Sequence, residues 1–275
     1  MAKDFIISCE QMKIAISGKG GVGKTTLAST LARIYVREGF NVLAVDGDPS
    51  GHLSVALGLS IEESSEIIPL IEMKELIEER TGAAPGSIGG IFKLNPKVDD
   101  LPEKLSVNIK GVRLIQTGGF RKAGSGCFCP ENAILKSLLK HLIVDTDDVV
   151  ILDMEAGFEH LTRGTAKSVD VMIIVVEPGL RSIKTGVTIA LLSRELGISR
   201  IFYAANKINN NEEKEYILKN LEFSEDIIGY ISYENTIKEA DLKGMSPFEN
   251  SGKLIGEVRK IRDELSEKMG TKSLH

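Results

Sequence analysis

The sequence predicts an α/β fold in which helices flank a mostly parallel, doubly wound sheet. Short runs rich in Val, Ile and Leu alternate with helical patterns along the chain, as expected for strands that are covered on both faces. A glycine-rich stretch, residues 18–23, joins the first run to the first helix. The 275 residues, 42% of them hydrophobic, are enough to bury a core without disulfides.

Each predicted element rests on its apolar pattern. The predicted strands are residues 13–17, 41–46, 112–116, 149–153, 171–176, 201–205 and 227–231. The predicted helices are residues 24–38, 131–142, 183–196, 212–221 and 254–269. Glu62 to Arg80 adds an acidic helical segment, and a Gly- and Pro-rich stretch without periodicity follows it. We therefore predict one domain, residues 1–275, with a helical and loop insertion at about residues 60–105.

Composition and charge narrow the classes of function. A formal net charge of −5 argues against non-specific nucleic-acid binding, which needs Lys and Arg to displace counterions. The longest apolar run, Val171 to Val176, is far below the roughly 20 residues of a membrane span. Residues 1–11 lack the apolar core of a signal peptide. We expect a cytoplasmic protein with neither nucleic acid nor membrane as a partner.

The glycine-rich stretch is the strongest motif. Residues 18–26 fit a dinucleotide fingerprint, with glycines at 18, 20 and 23, and also a phosphate-binding P-loop. Lys24 and Thr25 favour the P-loop, because Lys24 would reach the β- and γ-phosphates and the Thr25 hydroxyl would ligate Mg²⁺. Both templates aim backbone amides at phosphate from a helix N-terminus. We therefore expect a P-loop NTPase.

Residues 19–26 resemble the deviant Walker A motif of the MinD, ParA and nitrogenase-iron-protein class of dimeric ATPases. The resemblance implies that Lys19 reaches across a homodimer interface to the partner's nucleotide, as an arginine finger does. Residues 46–50 resemble the switch I segment of that class, in which Asp48 orients the attacking water. We expect Lys19, Lys24 and Asp48 to be catalytic, whereas Asp46 either takes part or caps the next helix.

Two further strand ends complete the predicted nucleotide site. Val149 to Asp153 is an apolar strand ending in an acid, the Walker B pattern, so Thr25, Asp48 and Asp153 are the predicted Mg²⁺ residues. Asn206 and Lys207 end another strand, where this class usually contacts the base. Asn209 stands where guanine-specific GTPases have aspartate, which favours adenine. The predicted nucleotide-binding residues are Gly18, Lys19, Gly20, Gly21, Val22, Gly23, Lys24, Thr25, Thr26, Asn206 and Lys207.

Three cysteines, an odd number, argue against structural disulfides. Cys127 and Cys129 precede a predicted helix, where a thiolate is stabilised, and a disulfide across one residue would be strained. Two thiolates do not complete a tetrahedral metal site, but a twofold axis would bring four together. The alternative is two loop cysteines without a role. Cys9, before the first strand, is interpreted as incidental.

Residues 126–132, 153–165 and 177–184 resemble the CooC family of accessory ATPases, which mature nickel-containing carbon monoxide dehydrogenase. The resemblance implies ATP and ADP binding with Mg²⁺, ATP-dependent homodimerisation, and Ni²⁺ held by Cys127 and Cys129 at the dimer interface. It also implies a partner, the nickel-iron carbon monoxide dehydrogenase apoenzyme. Four thiolates in tetrahedral geometry favour Zn²⁺, whereas square-planar geometry suits Ni²⁺.

Two other functions stay open. A reductase similar to the nitrogenase iron protein would carry a dimer-bridging iron–sulfur cluster, but it needs a cysteine after the Walker B strand, and none follows Cys129. A positioning ATPase of the MinD or ParA type would use a basic amphipathic C-terminal helix on a membrane. Residues 252–275 instead carry mixed charge, which is typical of a solvated surface helix.

Overall fold

A computed structural model describes residues 12–48, 51–86, 91–118, 130–154 and 166–270. Its strands are β1 (Lys13–Gly18), β2 (Val42–Asp46), β3 (Val107–Ile109), β4 (Val112–Gln116), β5 (Val149–Asp153), β6 (Val171–Val176), β7 (Ile201–Ile208) and β8 (Ile227–Ser232). Within the described residues they form one sheet, in the order β3-β4-β2-β5-β1-β6-β7-β8. Every neighbouring pair is parallel except β3 and β4.

The helices lie between these strands in the chain. They are α1 (Lys24–Arg37), α2 (Leu53–Leu57), α3 (Ile61–Ser65), α4 (Lys74–Thr81), α5 (Leu101–Leu105), α6 (Pro130–Val144), α7 (Leu180–Leu196), α8 (Asn211–Asn220), α9 (Asn235–Leu242), α10 (Pro247–Asn250) and α11 (Gly252–Met269). The predicted fold class, an α/β P-loop NTPase with a mostly parallel doubly wound sheet, is confirmed.

Alternating side chains divide the core between the two faces of the sheet. On β1, Ile14 and Ile16 belong to a buried cluster that also includes residues of α1, α2 and α11. Ala15, between them, belongs to the cluster that includes residues of α4, α6, α7 and α8. Because successive side chains of a strand point to opposite faces, each central strand contributes to both clusters. The long Val, Ile and Leu runs in the sequence follow from this double burial.

The prediction of one helical segment over Glu62 to Arg80 is wrong. The structure divides that segment into α3, a 3₁₀ turn at Leu70–Glu72 and α4. Pro69 precedes the 3₁₀ turn, and proline cannot continue a helix because it lacks an amide hydrogen and clashes with the preceding turn. Charge and length suggested a continuous helix here, but the proline decides the break.

Several short elements were not predicted. They are α2, α5, α9, α10 and the antiparallel edge strand β3. Each spans eight residues or fewer, so apolar periodicity has too little length to separate it from a loop. The longer elements begin and end within three residues of their predicted bounds. The largest differences are at the end of β7, which continues from the predicted Ala205 to Ile208, and at the start of α7, which begins at Leu180 and not at Ile183.

Candidate nucleotide and magnesium site

The glycine-rich loop lies at the carboxyl end of β1 and leads directly into α1. Gly18 and Gly23 have φ values of 155° and 95°. A side chain at Gly18 would meet the backbone oxygen of Val175 on β6, and one at Gly23 would meet the side-chain amide of Asn206 on β7. Glycine is therefore required at both positions, because two neighbouring strands pack against the loop.

The Thr25 hydroxyl meets the predicted Walker B carboxylate. Thr25 Oγ1 donates a 2.6 Å hydrogen bond to Asp153 Oδ2, at the last residue of β5. Nearby, Lys24 Nζ donates to the Lys19 carbonyl oxygen at 3.3 Å. Lys19 is half-buried, and Lys24 holds its backbone carbonyl within the loop. The fold brings together Lys24, Thr25 and Asp153, which are up to 129 positions apart in the sequence.

The buried Asp153 carboxylate has both a second acid, Asp46, and the Lys24 ammonium near it. Burial raises the pKa of Asp153 to about 7, the Asp46 carboxylate adds to this effect, and the Thr25 hydrogen bond opposes it. Its Oδ1 atom is buried and has no hydrogen-bond partner among the described residues. Mg²⁺ is commonly held by one or two carboxylates together with substrate phosphates. A divalent cation beside Thr25 and Asp153 would satisfy Oδ1, so these residues fit Mg²⁺.

Asp46 lies beside Asp153 on the neighbouring strand, in direct register. Its two carboxylate oxygens accept hydrogen bonds from the backbone amides of Asp48 and Leu53, each at 3.0 Å. Burial raises the pKa of Asp46 to about 6. Because Leu53 begins α2, these bonds support the capping alternative for Asp46. They also hold the backbone at Asp48 next to the Walker B residue.

A cleft of about 1270 Å³ extends from the glycine-rich loop to the carboxyl end of β8. Its lining includes the predicted residues Gly20, Gly21, Gly23, Lys24, Thr25, Thr26, Asp48, Asn206 and Lys207. The far end is lined by Ser232, Tyr233, Glu234 and Ile237, which sequence reasoning missed. The available signal was that they follow a predicted strand, because ligands of open parallel sheets bind at the carboxyl ends of strands.

Asn206 and Lys207 contact the glycine-rich loop. Asn206 Nδ2 donates to the Val22 carbonyl oxygen at 2.7 Å, and Lys207 Nζ donates to the Gly21 carbonyl oxygen at 2.5 Å. The Asn209 side chain donates to the Glu213 carboxylate instead. The strand end predicted to face the base thus also supports the phosphate end of the cleft.

Cys127 and Cys129 lie outside the described residues. The described chain stops at Gly118 and resumes at Pro130, where α6 begins. The prediction of a helix directly after the cysteine pair is therefore confirmed. Across the described part of the chain, no group of three or more His, Cys, Asp and Glu side chains is placed to hold a metal ion. No described helix has the length and apolar character needed to cross a membrane.

The fold and the site define a P-loop nucleoside triphosphatase. The CobQ/CobB/MinD/ParA nucleotide-binding domain matches residues 13–248, and the chain belongs to this family as a CooC-type, ParA-class ATPase. It is 41% identical over 259 residues to the carbon monoxide dehydrogenase accessory protein CooC of Rhodospirillum rubrum, covering 94% of this chain and 98% of that protein.

Two further comparisons agree with this family. The chain is 45% identical over 253 residues to an uncharacterised ATP-binding protein of Methanocaldococcus jannaschii, covering 91% of this chain and 96% of that protein. The cell division protein MinD of Aquifex aeolicus has a TM-score of 0.63 at 20% identity, covering 96% of this chain and 99% of that one. At that identity the MinD structure supports the fold alone.

Proposed function

We propose that this ATPase is a metallochaperone for carbon monoxide dehydrogenase. It works as a homodimer, binds Ni²⁺ as cargo through Cys127 and Cys129 of each subunit, and assists insertion of nickel into the active-site cluster of the apoenzyme. The observation that carries the proposal is the match to CooC of Rhodospirillum rubrum along 94% of the chain, joined to a nucleotide site whose parts meet. We further infer a cytoplasmic location and a single domain, residues 1–275, with an insertion at about 60–105.

The residues that we assign to binding and hydrolysis of ATP lie at the carboxyl edge of the sheet. Amides of the glycine-rich loop would bind the phosphates, Lys24 would contact the β- and γ-phosphates, and Thr25, Asp48 and Asp153 would hold Mg²⁺. Asp48, in the cleft wall, orients the attacking water, and Lys19 of each subunit reaches the partner's nucleotide. Phosphoryl transfer depends mainly on such positioning and charge neutralisation. The 2.6 Å bond between Thr25 and Asp153 supports this arrangement, because it sets two of the three predicted magnesium residues side by side.

The metal chemistry rests on the pair of thiols and on the dimer. Two cysteines from each subunit supply four thiolates around one ion, and thiolates suit Ni²⁺ and Zn²⁺. The chain segment that carries them starts from β4, whose neighbour in the sheet is β2 with Asp46 at its end. Thr117, just after β4, donates to the Asp46 carbonyl oxygen at 2.8 Å. This contact supports a link between the nucleotide site and the cysteine segment.

Metal analysis combined with size-exclusion chromatography tests the proposal. The full chain, loaded with Ni²⁺ or Zn²⁺ in the presence of ATP, is expected to elute as a dimer with one ion per two chains. Cys127→Ser/Cys129→Ser is expected to lose the ion while its affinity for ATP stays within about twofold of the parent, because the cysteines lie outside the phosphate loop.

Cys9→Ser is the matched control, since it removes a thiol that is predicted to have no role. One ion per dimer retained in the double serine variant would contradict the assignment of the metal site. A brown protein with iron and sulfide, absorbing in the visible range, would instead support the reductase. Co-sedimentation of the metal-free protein with vesicles or DNA in ATP would support a positioning ATPase.

A further inference from the structure

The carboxyl end of β7 contains a β-bulge directly beside the glycine-rich loop. Ala205 pairs with Tyr230 and Ile208 pairs with Ser232, so two residues of β7 stand opposite one residue of β8. The two residues are Asn206 and Lys207, and Lys207 has a φ of 60°, which is uncommon for a side chain other than glycine. Bulges beside active sites redirect side chains, and this one turns both residues toward the loop.

The redirected side chains hold two successive carbonyl groups. Lys207 donates to the Gly21 carbonyl and Asn206 to the Val22 carbonyl. In a trans peptide the carbonyl and the next amide point in opposite directions. Fixing the Val22 carbonyl against β7 therefore turns the Gly23 amide away from β7. The orientation of these peptide planes decides where the loop presents its amides to a phosphate group.

Glu177 completes the arrangement from the neighbouring strand. It follows β6, and its Oε2 lies 3.0 Å from Lys207 Nζ. Its own backbone amide donates to Ser182 Oγ of α7 at 3.0 Å, so the position of Glu177 is fixed independently. The ammonium of Lys207 thus bridges a carboxylate and a loop carbonyl. Charge-assisted bonds of this kind are stronger than neutral ones, which offsets the unfavourable backbone conformation at Lys207.

We propose that Glu177 and Lys207 are positioning residues for the ATPase, a pair that orients the phosphate-binding loop rather than contacting the base. Neither residue needs to touch the nucleotide in this role. Because the pair acts through the Gly21 carbonyl, replacing either residue weakens binding of the phosphates, whichever base the nucleotide carries. The inference rests on the ATPase activity and is independent of the metal proposed above.

Binding of Mg²⁺-ATP and of Mg²⁺-tripolyphosphate, measured by calorimetry on the full chain, tests this assignment. Lys207→Met and Glu177→Ala are each expected to raise both dissociation constants by the same factor, about tenfold for one charged hydrogen bond. The double variant is expected to lie within about twofold of either single variant, because both remove one chain of contacts. Lys207→Arg, which retains a donor, is expected to recover most of the affinity.

Asp226→Asn provides a matched control. Arg194 and Asp226 form an ion pair with side-chain exposures of 40% and 29%, against 40% and 25% for Lys207 and Glu177. Neither Arg194 nor Asp226 lines the cleft, so we expect unchanged affinities for ATP and tripolyphosphate in the Asp226→Asn variant. Wild-type affinities in the Lys207 and Glu177 variants would overturn the proposal. Weakening of ATP without tripolyphosphate, which shows a base contact, would also overturn it, and so would losses that multiply in the double variant.

Discussion

The two edges of the sheet treat buried charge in opposite ways. At the amino edge, Lys13 Nζ donates to the carbonyl oxygens of Thr146 and Asp148 at 2.7 and 2.6 Å. At the carboxyl edge, Asp153 retains a buried oxygen without a hydrogen-bond partner in the described structure. Both groups are almost fully buried. At the amino edge the buried charge is satisfied by hydrogen bonds within the protein, whereas at the carboxyl edge Asp153 keeps one oxygen unbonded although the Lys24 ammonium lies nearby. This difference distinguishes a structural charge from a functional one.

The pKa shifts express the same difference. Burial lowers the pKa of Lys13, and the carboxylates of Asp148 and Asp170 oppose the shift. Burial raises the pKa of Asp153, and here its neighbour Asp46 increases the shift because both groups are acids. At the amino edge the neighbouring carboxylates oppose the effect of burial on the pKa. At the carboxyl edge the carboxylates of Asp46 and Asp48 add to the effect of burial, and the Lys24 ammonium and the Thr25 hydrogen bond oppose it. Like charges that lie close together in a folded protein are typical of functional sites, where a bound ligand supplies the opposite charge.

The largest expected effect is at the carboxyl edge. Lys24→Ala is expected to lower kcat/KM for ATP by about 10²- to 10³-fold, because it removes the positive charge that stabilises the transferring phosphoryl group. The Tm should stay within a few degrees of the parent, since the Lys24 side chain makes one long contact to the loop. Steady-state phosphate release and thermal unfolding measure the two quantities. Unchanged turnover would rule out the P-loop assignment.

Lys13→Met should give the reverse result. We expect a loss of about 2 to 4 kcal/mol in the free energy of unfolding, because two carbonyl groups lose a charged donor inside the protein. Since Lys13 lies at the far edge, kcat/KM of the folded protein should change by less than about twofold. Urea unfolding and ATPase assays below the transition measure both. Lys97→Met, at an exposed lysine, is the control, and equal losses in the two variants would contradict the structural role of Lys13.

Asp153→Asn tests the comparison through pH, with metal and nucleotide absent. Because the folded protein raises the pKa of Asp153 from 3.8 to about 7, it binds protons more strongly than the unfolded chain between these values. The contribution of Asp153 to the stability of the parent should therefore fall as pH rises through that range. The asparagine variant should be more stable than the parent at pH 8, because its side chain has no charge to bury, and the two should converge near pH 4.

Added Mg²⁺ and ATP supply the second part of that experiment. They should restore stability to the parent at pH 8 and leave the asparagine variant little changed, since binding to the folded state alone shifts unfolding. Differential scanning calorimetry at several pH values follows both effects. A difference in stability between the parent and the asparagine variant that stays constant from pH 4 to pH 8 would show that Asp153 is not the uncompensated charge.

The smallest expected effect is Asp148→Asn at the amino edge. The Asp148 carboxylate pairs with Arg113 at 2.5 Å, and both side chains are partly exposed. Pairs of this kind contribute about 0.5 to 1 kcal/mol, and the Asp148 carbonyl still accepts from Lys13 in the variant. Urea unfolding at low and at high salt should show the loss at low salt and a smaller loss at high salt. A loss as large as that of Lys13→Met would mean that the carboxylate, not the backbone, supports this edge.

Much of the fold was readable from the chain because its central strands are buried on both faces. Continuous apolar runs predicted β1, β2 and β4 to β8 within a few residues. The 62–80 segment was misread, because Pro69 ended a pattern that charge and length suggested was continuous. Asn206 and Lys207 were predicted as base contacts, which stays a prediction, but their hydrogen bonds to the loop across a bulge were not foreseen. A bulge depends on the pairing of two strands, which no local pattern records.

The sequence by itself determined the P-loop and the acid that ends β5, because each belongs to a local run of residues with chemistry that depends on spacing. The sequence determined the family for the same reason. The cysteine pair is equally local, and its metal site stays a prediction. Only the tertiary structure decided that Thr25 hydrogen-bonds to Asp153 and that Glu177 pairs with Lys207. It also decided that the Asp46 carboxylate accepts hydrogen bonds from the amides of Asp48 and Leu53. These residues meet because parallel strands end at one edge of the sheet, and the register between strands sets which side chains face each other.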